Sequence, residues 1–162
     1  MSKATVAALF TGAILLSACQ PKSVAPLAPK PATAPRPPKA AFAISPLAET
    51  DYSGIQGCTT VFRPAGTQPG SNIFVEDAVD TDAKGLMKVD GEMVGVKLVS
   101  ETQSGKGGLR LFRSADGKLS VAENYITGAA HEDTDSVEMT GNLTITWKGA
   151  SQSIKVEGGT AC

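Results

Sequence analysis

From residue 50 onward the chain is a succession of short apolar runs rich in Val, Ile, Leu and Thr, separated by Gly, Asp and Asn. No long stretch has a helical period, so the pattern predicts an all-β domain. The clearest strand covers 137–147, where Val137, Met139, Leu143, Ile145 and Trp147 alternate with Glu138, Thr140, Asn142, Thr144 and Thr146. A period of two sends the first set into a core and the second to water. Gly141 falls on the core face, where it marks a bulge or a bend needed for closure. Asp90-Gly91 joins a strand over 86–89 to one over 92–100, and Asp116-Gly117 joins 109–114 to 118–126. Each dipeptide supplies the positive φ of a tight hairpin. A turn at Gly149-Ala150-Ser151 leads into a last strand bearing Ile154 and Val156, and 59–63 and 73–76 complete about eight strands. Strands joined mostly to their neighbours predict a small antiparallel β-barrel or sandwich, and the pattern is compatible with both.

The front of the chain is patterned differently. Lys3 precedes an apolar run over 4–16 that ends in small residues before Cys19, the layout of an export signal. Crossing a bilayer takes roughly 20 apolar residues, and this run is shorter and followed by Gln20, Pro21 and Lys22. Residues 20–48 then hold eight prolines, four cations and no acid, a composition that cannot build a core. Proline fixes φ and removes backbone donors, so this stretch is expected to be a disordered, semi-rigid polyproline spacer. Fully extended at about 3.1 Å per residue, it reaches on the order of 90 Å.

Leu16-Ser17-Ala18-Cys19 resembles the lipobox of bacterial lipoproteins: a branched apolar residue, two small residues, then cysteine. The resemblance implies a signal peptide over 1–18, cleavage before Cys19, diacylglycerol on its sulfur and usually a further acyl chain such as palmitate on the new amino group. Two or more chains anchor a protein stably, because each buried methylene contributes about 0.8 kcal/mol. Gln20 is not the aspartate associated with inner-membrane retention, which implies an outer-membrane anchor with the domain in the periplasm. The expected organisation is a signal peptide at 1–18, a lipidated and proline-rich linker at 19–48 and a β domain at 49–162.

With Cys19 assigned to lipid, Cys58 and Cys162 remain as a pair that brackets the β domain. A bridge between them would close a loop of roughly 100 residues, for which chain entropy gives about 4.7 kcal/mol. Charge adds one exclusion. The overall net charge of −1 hides ten basic against sixteen acidic residues in 49–162, a net −6. An acidic domain without a Lys/Arg cluster, and with few aromatics to stack bases, argues against a nucleic-acid partner.

Motifs for chemistry are sparse. His131, the only histidine, stands in the acidic stretch His131-Glu132-Asp133-Thr134-Asp135, and a zinc site needs three or four ligands. No His-Glu-x-x-His or Gly-x-Ser-x-Gly motif occurs. Asp80-x-Asp82-x-Lys84-Gly85 departs from a calcium loop at Lys84 and Gly91 and reads as solvated turn carboxylates. Ser104-Gly105-Lys106-Gly107-Gly108 reads as a hairpin loop. No metal, cofactor or enzymatic activity is expected. The reading is a tethered non-enzymatic binding module, with Tyr125, His131 and Trp147 as candidate binding residues and a protein or cell-wall component as candidate partner. The alternative is a structural accessory of the outer membrane or wall. Trp147-Lys148-Gly149 before a terminal cysteine is similar to the end of periplasmic inhibitors of c-type lysozyme, which are small lipid-anchored barrels. That likeness implies an inhibitor of a host or envelope-degrading enzyme. Their Ser-Gly-x-x-Tyr motif is missing here, so no inhibitory residue carries over.

Overall fold

The computed structural model describes residues 41–78 and 82–162. The expected export signal and lipidation site at Cys19, most of the proline-rich stretch and Asp80 lie outside the described residues. Among the described residues no helix is long and apolar enough to cross a membrane.

The strands are β1 (Ile44–Ser45), β2 (Thr59–Pro64), β3 (Phe74–Asp77), β4 (Lys84–Val89), β5 (Glu92–Ser104), β6 (Gly107–Ser114), β7 (Leu119–His131), β8 (Ser136–Trp147) and β9 (Ala150–Ala161). Each strand from β2 to β9 pairs antiparallel with the next, and β9 pairs back onto β2 from Thr59↔Ala161 to Pro64↔Val156. The result is a closed eight-stranded antiparallel barrel, with β1 added beside β4 through Ile44↔Val89. Closure selects the barrel over the sandwich, with β5 and β9 extending past their shorter neighbours β4 and β2.

Alternation fills the lumen. Phe62, Phe74, Met87, Phe112, Val121, Leu143 and Ile145 are fully buried, and the Phe74 and Phe112 rings meet edge to face at 5.3 Å. Gly141 also faces inward, but the register across it is continuous, so it is a bend and not a bulge. A Cβ there would collide with the Asn124 carbonyl oxygen, and one at Gly158 with that of Val61. Glycine permits the close strand approach that barrel coiling demands. The bulges lie elsewhere, between Leu98 and Ser100 and between Thr127 and Ala130.

Several boundaries differ from expectation. The folded part begins before residue 49: Phe42 and Leu47 are buried, because β1 and its flanks cover one end of the barrel. The β8–β9 turn is Lys148-Gly149, with φ of 49° and 88°, and Ala150 and Ser151 already belong to β9. Asp90-Gly91 is a two-residue hairpin with φ of 50° and 80°, as its sequence demands. Asp116-Gly117 sits in a longer connection in which Gly117 alone takes positive φ and its N–H donates to the Ser114 carbonyl at 3.0 Å. Asp116 instead accepts from the Ser114 hydroxyl at 2.8 Å and the Lys118 backbone at 3.1 Å. Cys58 and Cys162 are disulfide-bonded, which ties the chain entering β2 to the chain leaving β9.

Candidate functional site

The two ends of the lumen are filled with different chemistry. At the end holding the Asp90-Gly91 and Lys148-Gly149 turns, Trp147, Leu119, Val89 and Phe42 close the barrel. The Trp147 indole N–H donates to Asp90 Oδ2 at 3.0 Å, and Asp90 Oδ1 accepts the Ala43 N–H at 2.9 Å. Both oxygens of that carboxylate are thus engaged.

The opposite end, which carries the disulfide, holds ionisable groups at inward positions. Arg110 on β6 lies opposite Glu101 on β5 and Glu123 on β7 in register, and its guanidinium donates to Glu76 on β3. Glu101 reaches this layer because of the bulge at Val99. Val94, Val96 and Leu98 point inward, and the extra residue re-aims the strand so that Glu101 and Gln103 do so in place of Ser100 and Thr102. Above the cluster lies a pocket of about 290 Å³ lined by Thr60, Glu101, Arg110, Tyr125, Met139 and Thr160 among others. Tyr125 Oη donates to Glu101 Oε1 at 3.4 Å, and the Thr60 and Thr160 hydroxyls bond each other at 2.7 Å.

One guanidinium therefore faces three carboxyl groups, two of them without solvent exposure. Burial, followed by repulsion from Glu123, pushes Glu76 up to about 9 despite the attraction of Arg110. Burial likewise pushes Glu123 up to about 7, with Arg110 opposing. Glu76 Oε2 and both carboxyl oxygens of Glu123 have no hydrogen-bond partner among the described residues. An unsatisfied buried polar group of this kind costs about 1–3 kcal/mol. Such a layer is suited to meeting hydrogen-bond donors, above all a cationic nitrogen, and it holds or yields protons as it does so.

The three candidate binding residues do not form one patch. Tyr125 lines the mouth. His131 is at the same end but exposed, with Nε2 at 3.2 Å from Glu138 Oε1, because the bulge after Thr127 turns it away from the lumen. Trp147 is buried at the far end, opposite Leu119 in register, with Lys148 Nζ 4.4 Å above its ring. The inner layer of Glu76, Arg110 and Glu123 belongs to no sequence motif, although the alternation signals it: each charged residue stands at an inward-parity position, two after Phe74, two before Phe112 and two after Val121. Asp82 is exposed with φ of 59°, and among the described residues no three His, Cys, Asp or Glu side chains gather as metal ligands. No protein-family model, curated protein or solved structure matches this chain.

Proposed function

We propose that this chain is a bacterial envelope lipoprotein, held to the outer membrane by acyl groups on Cys19, whose periplasmic barrel is a non-enzymatic binding module with its ligand site at the open mouth. The anchor rests on the apolar run over 4–16 and on Leu16-Ser17-Ala18-Cys19. The binding role rests on one observation above all: buried carboxyl oxygens of Glu76 and Glu123 have no partner among the described residues beneath the pocket lined by Tyr125 and Thr160, while Trp147, Leu119, Val89 and Phe42 fill the other end. A small ligand bearing a primary ammonium group suits this mouth, since its N–H donors would satisfy the Glu123 oxygens and its charge would draw that carboxyl into its ionised form.

Two measurements test the reading. Intact mass of the protein extracted from bacterial membranes should show a chain that begins at Cys19 and carries diacylglycerol plus an acyl group, and Cys19→Ala should release the protein. An uncleaved leader or an unmodified thiol sinks the anchor. For the mouth, titration with butylammonium and with glucosamine should shift the amide resonances of Thr60, Tyr125 and Thr160 saturably, and Glu123→Gln should weaken that response about tenfold. Indifference to both probes, with co-sedimentation on cell wall, would favour the structural-accessory role instead.

A further inference from the structure

The outer wall of β4, β5 and β6 carries a second cavity, a groove of about 730 Å³ whose lining includes Ile55, Leu86 and Gly95. Lys84 on β4, Lys97 on β5 and Arg113 on β6 stand directly opposite one another in register, and all three line it. All three are exposed, and none is ion-paired with a described residue. Neighbouring strands lie about 4.8 Å apart, so three like charges are held within about 10 Å. Like charges directly opposite each other weaken a sheet, and this row stands on a domain whose own charge is −6. Asp77 is the carboxylate nearest to hand in the lining, and its Oδ1 accepts the Lys84 backbone N–H.

We propose that this groove binds a single phosphate-headed acyl lipid, with the phosphate on the Lys84–Lys97–Arg113 row and the acyl chain along Leu86, Gly95 and Ile55. A phosphate monoester carries about −1.5 to −2 charges, enough to relieve the row. Gly85, Leu86, Val96 and Lys97 along the groove are paired with a strand on both sides, so an acidic peptide laid there would find no ladder for its own backbone groups, whereas an acyl chain has none to satisfy. The groove volume lies in the range of roughly 300–1,000 Å³ usual for small-molecule sites. Gly95 keeps the floor open: a Cβ there would meet nothing closer than Leu86 Cδ2 at 4.0 Å.

The test is an amide-resonance titration of the full chain with dodecyl phosphate below its micelle concentration. Dodecyl maltoside, inorganic phosphate and an octaglutamate peptide serve as comparison probes. Dodecyl phosphate should shift Gly95, Lys97 and Arg113 saturably and leave Thr60 and Thr160 at the mouth still, so failure here leaves the mouth reading intact. Lys97→Glu should weaken the affinity about tenfold while raising the melting temperature, because it places an acid between two cations. Gly95→Val should also weaken binding, by filling the groove, with the fold retained. Unchanged affinity in either variant overturns the proposal. So does an equal response to the maltoside or to inorganic phosphate alone, or tighter binding of octaglutamate at the same amides.

Discussion

At the closed end of the barrel, inward positions hold Trp147, Leu119, Val89 and Phe42, and the one carboxylate in reach, Asp90, has both oxygens hydrogen-bonded. At the mouth, inward positions hold Glu76, Arg110, Glu123 and Glu101, and three carboxyl oxygens have no hydrogen-bond partner among the described residues. The contrast separates what a barrel needs in order to fold from what it does not. An apolar plug with a satisfied polar tip contributes stability, whereas acids gathered around one guanidinium reduce it. The proposed binding role gives the second arrangement a use at the mouth.

The largest effect should come from the plug. Trp147→Ala removes a buried indole and leaves Asp90 Oδ2 without its donor, so urea unfolding should show a loss of about 3–5 kcal/mol. Since Trp147 lies at the opposite end from Thr60 and Thr160, butylammonium affinity of the folded fraction should be unchanged. A parallel loss of affinity would mean that the two ends are not independent and would erase the contrast.

The mouth should respond in the opposite direction. In the unfolded chain Glu76 and Glu123 ionise near 4.5, whereas in the barrel burial holds Glu123 protonated up to about 7 and Glu76 up to about 9. Over that interval the folded state binds more protons than the unfolded one. Their contribution is therefore fully present below about pH 4.5 and is lost as the pH rises through 7 toward 9. Glu123→Gln keeps the shape and removes one ionisation. It should stabilise the protein by about 1–3 kcal/mol at pH 8 and change little at pH 4. Urea midpoints at both pH values decide the matter: destabilisation at pH 8 would show the carboxylate to be well paired, as Asp90 is.

Much of this architecture is legible in the alternation. Eight strands, the Asp90-Gly91 hairpin and the inward face of β8 follow from period two and turn chemistry, and the bridge follows from counting cysteines once Cys19 is set aside. Closure is not legible, because it depends on β2 meeting β9 about a hundred residues away, with Thr60 opposite Thr160. Nor are the bulges, since one extra residue reverses the facing of everything beyond it and leaves the composition unchanged. Trp147 shows the reverse case: alternation places it on the core face, where the barrel buries it, and that position is at odds with its candidacy as a binding residue. Glu123 is equally legible from its parity with Leu119 and Val121, but it belongs to no motif, and its one unusual property is the direction it points.

The smallest effect should fall on His131, at the same end as the mouth yet outside it. Its pairing with Glu138 at 3.2 Å is exposed, and exposed pairs contribute about 0–1 kcal/mol. His131→Ala should therefore shift the urea midpoint barely and leave the butylammonium response of Tyr125 unaltered. Inserting one alanine between Ala130 and His131 is the sharper version. Ala130 lies opposite inward-parity Val137, so one added residue would by alternation turn His131 toward the lumen, and its ring resonances should begin to respond to butylammonium. If they respond in the unaltered chain, the mouth extends further out than the inner carboxyl layer, and the boundary between binding surface and solvated rim must be redrawn.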